Sequence, residues 1–182
     1  MKKRLLVLLG ATVLTVSALS ATGNVMVGGA TMSPSKNIIE NAVNSSDHTT
    51  LVAAIKAGGL VETLEGKGPF TVFAPTNEAF AKLPAGTVDT LLKPANKATL
   101  VKILTYHVVA GKVEAGELVR MIKAGDGSAT LKTVQGETLT ASLKGGSVVI
   151  KDQKGDLAMV TIADVNQSNG VIHVIDTVLL PN

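Results

Sequence analysis

Cysteine is absent from all 182 residues. Disulfides, a thiolate nucleophile and zinc–thiolate sites are thereby excluded. Aromatic residues are nearly as scarce: no Trp occurs, Tyr106 is the single tyrosine, and Phe70, Phe73 and Phe80 are the only phenylalanines. The core must therefore be built mainly from Val, Leu, Ile and Ala. Nucleotide cradles are missing too. None of the 18 glycines falls in a G-x-G-x-x-G turn or a Walker loop, and there is no G-x-S-x-G elbow. The length suits one domain, and about 140 ordered residues can bury enough apolar surface to stand without disulfides.

What is present begins with an N-terminal leader. Lys2, Lys3 and Arg4 precede an apolar run over 5–19, and Ala18 and Ser20 supply small residues for cleavage. That pattern predicts a signal peptide over 1–20, the run being shorter than the roughly 20 residues a membrane span needs. No transmembrane anchor is expected once it is removed. Setting aside Lys2, Lys3 and Arg4 from the 17 basic residues leaves 14, against 14 acidic ones. The mature chain is then near neutral, and its net charge gives no support to nucleic-acid binding.

Residues 21–35 are Gly, Ser, Thr, Met and Val without periodicity, and are expected to be a flexible mature N-terminus. Apolar spacing predicts helices over 36–43, 49–57 and 97–104, with shorter ones over 60–64, 78–83 and 88–92. Gly58 and Gly59 should stop the second. Residues 70–74 should form a strand that Pro75 ends, for want of an N–H. Strand character should resume over 105–109. After a helix over 114–123 the chain turns to strands: 129–134 and 138–143 around Gln135-Gly136-Glu137, then 147–151, 158–162, and two segments of 171–180 around Asp176. Helices first and strands last make an α+β pattern, not βαβ repetition.

Chemistry-bearing residues are few. Of the three histidines, His48 lies among Ser and Thr and is expected at the surface. His173, within VIHVID, is expected to be a hydrogen-bonded core residue. At least one of Tyr106 and His107 is expected to be buried and bonded. His107, His173 and a carboxylate could form a metal-ligand set by type, but the HxH or HxxxH spacing that would signal one is missing. No metal, cofactor or catalytic residue is predicted.

Three separated motifs carry a resemblance: TVFAPTNEAF at 71–80, Tyr106-His107 within LTYHVVAGKV, and Asn169-Gly170 opening a segment to Pro181, preceded by IADV at 162–165. Together they resemble the fasciclin (FAS1-like) domain family, over residues 36–182, and the short form with a leader resembles its small secreted bacterial members. The resemblance implies a wedge-shaped β-sandwich of about seven strands with several helices packed on it. It also implies a secreted, extracellular or periplasmic, non-catalytic adhesion or matrix-binding module. Its partner would be an unidentified cell-surface or matrix protein, a polysaccharide, or a second copy of the chain. In animal members the Tyr-His motif is associated with integrin binding. By that likeness Leu104, Tyr106, His107 and Val108, with Asp164 and Val165, are the candidate partner-binding residues. Thr71, Pro75, Asn77 and His173 are read as structural. The competing readings are a carrier of a small apolar ligand and a metal-dependent enzyme.

Overall fold

The computed structural model of the protein describes residues 24–182. The expected leader over 1–20 lies outside them. Two central strands, β3 (Phe70–Pro75) and β9 (Gly170–Ile175), run parallel in register, with Phe73 opposite His173. Both are buried along nearly their whole length, as their continuous apolar sequences demand. β4 (Val108–Ala110) flanks β3. β8 (Leu157–Gln167), β7 (Ser147–Lys151), β6 (Thr138–Lys144) and β5 (Ser128–Lys132) continue from β9, all antiparallel. The two ends of this seven-stranded sheet approach each other. Val109 bridges to Thr133, and Val134 N donates to Val108 O at 2.8 Å, so the sheet nearly closes into a barrel.

Alternation along β3 and β9 sends side chains into two separate cores. Val72, Ala74, Ile172 and Val174 point to the helix-covered side. They meet residues of α1 (Ile38–Ala42), α2 (Thr49–Gly58), α3 (Val61–Glu65), α4 (Asn77–Ala81) and α6 (Lys97–Tyr106). α5 (Thr87–Leu91) adds partly buried residues at the margin. Phe73 and Ile175 point into the near-barrel, where α7 (Ala115–Ala124) inserts Leu118 and Ile122 against Leu131, Leu139 and Ala141. The α+β class and the seven strands with helices packed on them agree with the sequence expectation.

Helix ends follow local chemistry. Asn37 and Glu40 form a reciprocal capping box on α1, and the Thr76 side chain accepts from Ala79 N to start α4. α2 stops where Gly59 takes the left-handed conformation at φ 71°. Gly170 opens β9 for a different reason: a Cβ there would lie 2.0 Å from the Phe70 carbonyl oxygen. Only glycine lets the two central strands come that close.

Several expectations need correction. Residues 25–32 are not a flexible extension. They form a hairpin of β1 (Val25–Val27) and β2 (Ala30–Met32), whose Val27 and Met32 are buried in the helix-side core, so the packed unit begins before residue 36. Strand character does not begin at Thr105. α6 runs on to Tyr106, because Leu100, Ile103 and Leu104 keep a helical apolar stripe facing the core. The strand does end at Pro75 as expected, with Pro75 itself opposite Ile175 as the last pair of the parallel ladder. The final apolar run forms one strand, not two, since β9 stops at Ile175 and 176–182 continue outside any strand.

Candidate functional site

The sequence motifs converge on the seam between the two cores. Tyr106 closes α6, and its ring enters the near-barrel with no exposure. Its hydroxyl donates to Thr138 O at 3.0 Å and accepts from Gln153 N at 3.1 Å. Burial pushes its pKa up to about 12, despite the favourable Gln153 N–H.

His107 follows as the helix C-cap and is also buried. Its Nδ1 lies 2.9 Å from Ile103 O, and its Nε2 accepts from Leu179 N at 3.0 Å. A backbone N–H can only donate, so Nε2 carries the lone pair and Nδ1 the proton. Burial brings its pKa down to about 4, with the Ile103 carbonyl opposing the shift. The adjoining amides of the C-terminal segment are held in the same way. Leu180 N donates to Asp152 Oδ2 at 2.9 Å, and Asn182 N to Glu137 Oε2 at 3.1 Å. That amide is the main cause holding the Glu137 carboxyl below its ordinary value. Asp152 also accepts from Lys154 N and Asp156 N through Oδ1, both at 2.9 Å.

A second set of ties holds the connection between β4 and α7. Thr71 Oγ1 donates to Gly111 O at 2.7 Å and accepts from Val113 N at 2.9 Å. On the neighbouring strand, His173 Nε2 donates to Val113 O at 2.8 Å, while its Nδ1 accepts from Asp164 N at 3.3 Å. Its ring stacks on Phe73 with centroids 5.7 Å apart and 28° between planes. Burial lowers its pKa, against the pull of the Val113 carbonyl. Asp164 Oδ1 accepts from Ala115 N at 2.7 Å, at the first turn of α7. Asp164 sits where the β8–β9 register shifts, with φ 56°. Asp is one of the few non-glycine residues that adopt that conformation readily.

The third set joins helices. Asn77 accepts from Thr50 N at 3.0 Å and donates to Ser46 O at 2.8 Å, tying the starts of α4 and α2 together. Asn169 accepts from Ile38 N at 3.1 Å and donates to Leu64 O and Gly66 O at 2.7 and 2.9 Å. One buried amide thus serves the start of α1 and the end of α3. Sequence reasoning placed Asn169 in a motif but gave it no role, and placed Asp152 in a polar turn. An Asn-Gly at a strand start and an Asp two and four residues before turn amides are the signals that point to them.

The six candidate binding residues do not form a surface together. Leu104, Val108 and Val165 are buried in the helix-side core, Tyr106 lies in the near-barrel core, and His107 is buried at the C-terminal segment. Asp164 is half-buried and engaged with α7. Leu104 and Tyr106 leave the end of α6 toward different cores, Val108 and Val165 point from their strands into the helix-side core, and of the six only Asp164 keeps part of its side chain at the surface. His48 also differs from expectation. It is 3 % exposed, its Nδ1 lies 2.9 Å from Ser45 Oγ, and its Nε2 has no hydrogen-bond partner within reach. Burial lowers its pKa, with the backbone of Ala74 and then the Asp47 carboxylate opposing the shift. The N-terminal hairpin explains the burial: Val27, Met32 and His48 together line a cavity of about 20 Å³ under α2.

Among the described residues, no three His, Asp or Glu side chains gather as a metal-ligand set. No helix among them is long and apolar enough to cross a membrane.

Comparison with known proteins adds the relatives. Residues 46–181 match the Fasciclin domain family. Protein sll1483 of Synechocystis is 51 % identical over 156 residues, covering 86 % of this chain and 79 % of that one. Immunogenic protein MPB70 of Mycobacterium bovis is 36 % identical over 170 residues, covering 91 % and 78 %. Among solved structures, a FAS1 domain pair from the insect cell adhesion molecule Fasciclin I superposes with a TM-score of 0.70 at 22 % identity. The match covers 80 % of this chain and 51 % of the pair, so the chain spans about half of that molecule's length.

Proposed function

The chain belongs to the fasciclin-domain family, and from that premise we propose that it works outside the cytoplasm as a non-catalytic binding module attached to cell-surface or matrix material. The observation that carries this reading is how the signature polar residues are spent. Both ring nitrogens of His107 and of His173 are committed to backbone groups, and Thr71, Tyr106 and Asn169 likewise bond to backbone. An imidazole so engaged has no lone pair left for a metal and no free nitrogen for proton transfer to a substrate. Chemistry is therefore a poor use of these motifs, and the exposed sheet and loops are left for binding.

Two further facts favour adhesion. A solved structure that shares the fold comes from a cell adhesion molecule. The basic start and short apolar run at the N-terminus fit export. A carrier of an apolar ligand has weaker support: the apolar cavity of about 20 Å³ has room for about one water molecule, and the roomier cleft of about 470 Å³ beside α7 is lined by Lys112, Glu114, Glu117 and Arg120. The test is retention of the labelled, purified protein on washed cells and extracellular polymer of the producing strain. Retention above that of an unrelated protein of equal size and charge is expected; equal retention overturns the reading.

A further inference from the structure

We propose that the helix-free half of the sheet's outer face, on β5–β8, is a docking surface for a carboxylated polysaccharide. The inference rests on the binding-module reading and names its partner class. Helices cover the outer face only over β3, β9 and the end of β8, where Val72, Val174 and Val165 are buried. α7 lies on the other side of β5–β7, inside the near-barrel. The strands β5 to β7 and the first half of β8 therefore turn one face away from α7; on it Lys132, Lys144, Lys151, Leu157 and Met159 are exposed, while Val149 between them is buried.

Charge on that face has one sign. Alternation places Lys132, Lys144 and Lys151 on it, and no Asp or Glu occupies any outward position of β5, β6, β7 or residues 157–161. The four ion pairs among the described residues lie elsewhere: Lys82–Asp176, Lys102–Glu137, Lys112–Glu114 and Arg120–Glu117. The three lysines thus have no carboxylate partner among the described residues and make this face cationic. From the register, with Lys132 opposite Thr138 and Lys151 opposite Thr140, neighbouring lysines stand roughly 12–14 Å apart, given strand spacing and rise.

The ground between them is of two kinds. Thr130 pairs with Thr140, and Ser128 with Ser142, giving a patch of hydroxyls across β5 and β6. Beside it, Leu157 and Met159 are 48 % and 41 % exposed on β8. A uronic-acid polymer meets all three features at once: carboxylates for the lysines, ring hydroxyls for the Ser and Thr patch, and apolar C–H faces for Leu157 and Met159. An anionic bilayer meets the first and third, but its mobile headgroups present no fixed row of hydroxyls to the Ser and Thr patch.

The experiment measures binding of the full chain to immobilised polygalacturonate at low ionic strength. Neutral dextran and phosphatidylserine-containing vesicles serve as comparators. Wild type should bind polygalacturonate alone. The variant K132E/K144E/K151E should bind at least about tenfold more weakly, since it turns complementarity into repulsion. The variant K56E/K93E/K123E, with the same charge change at exposed positions elsewhere, should stay within about twofold of wild type, a bound chosen on the same screening argument. Melting curves identify any variant that fails to fold, and single reversals then replace it. Equal binding by both triple variants, no binding to polygalacturonate, or binding to vesicles instead overturns the proposal. Retention on cells with no binding to polygalacturonate sinks this inference but leaves the binding-module reading standing; the opposite pattern sinks that reading.

Discussion

The two cores on either side of β3 and β9 are closed by different means. On the helix side, Val27, Ile38, Leu51, Ile55, Val72 and Leu100 fill the space between helices, hairpin and sheet, and the buried polar residues Asn41, Ser45, His48 and Asn169 sit at helix ends and turns. On the near-barrel side, His173, Thr71, Tyr106 and His107 are buried among or beside the apolar residues, and each holds backbone that has no ladder partner. The difference teaches where the family's motif residues act. Helices satisfy all but their terminal backbone groups, so each needs an apolar stripe to dock and side-chain partners only at its ends, where Asn77 and Asn169 supply them. Two segments around the near-barrel, 111–113 and 178–182, have no such internal satisfaction. They can be buried only if side chains supply the missing partners.

The contrast can be broken by mutation, and the largest effect belongs to the helix side. Leu64→Ala removes a buried side chain of the helix-side core and leaves a cavity, so unfolding should become easier by about 2–5 kcal/mol. The loss should be equal at pH 7 and pH 5 in urea titrations, since the side chains that line the space beside it, Leu60, Phe70, Thr105 and Val108 among them, do not titrate. A pH-dependent loss would show that the two cores are not energetically distinct.

Acid sharpens the contrast from the other side. His107 is held neutral in the fold, with a pKa of about 4 against 6.5 for the free side chain. As pH falls below 6.5 the unfolded chain takes up a proton before the folded one does. The stability His107 contributes is complete above pH 6.5 and is lost as pH falls through about 4, amounting to roughly 3 kcal/mol over that window. His173 and His48 are shifted in the same direction by burial and should steepen the slope. Urea midpoints between pH 7 and pH 4 check this, and His107→Gln should flatten the curve. An unchanged slope in the variant counts against a neutral, buried His107.

How much of this was legible in the sequence follows the same division. The strand–turn–helix at 70–81, the hairpin around Gln135-Gly136-Glu137, and β7 were readable because periodicity and turn residues are local signals. The hairpin at 25–32 was not. Strands of three residues are too short to show alternation, and what buries Val27 and Met32 is distant in sequence. His48 was misplaced for the same reason, since that hairpin closes over it. The segment after Ile175 looked like another strand because apolar residues destined for a ladder and those destined for a side-chain-held strap read alike. Only Asp152, Glu137 and His107, 28, 45 and 72 residues away from the amides they hold, tell the two apart.

Smaller effects test single ties. His173→Ala should destabilise the protein by about 1–3 kcal/mol, by leaving Val113 O and Asp164 N without their partner. Equal melting temperatures for variant and wild type would refute that role. Asp164→Asn should cost less, about 0.5–2 kcal/mol, because it weakens the charged acceptor at the start of α7 while keeping a residue that tolerates φ 56°. Its effect should be confined to amide exchange in the first turn of that helix, with the β3–β9 ladder unchanged.

The most direct measurement is amide hydrogen exchange at Val113, Leu179 and Leu180. None of the three lies in a helix or strand. If Thr71, His107 and Asp152 hold them as described, all three should exchange as slowly as the β9 amides, and His107→Ala should release Leu179 while the β3–β9 ladder stays protected. Exchange of these amides at the rate of an open loop in the wild type would contradict the claim that the signature residues are structural ties.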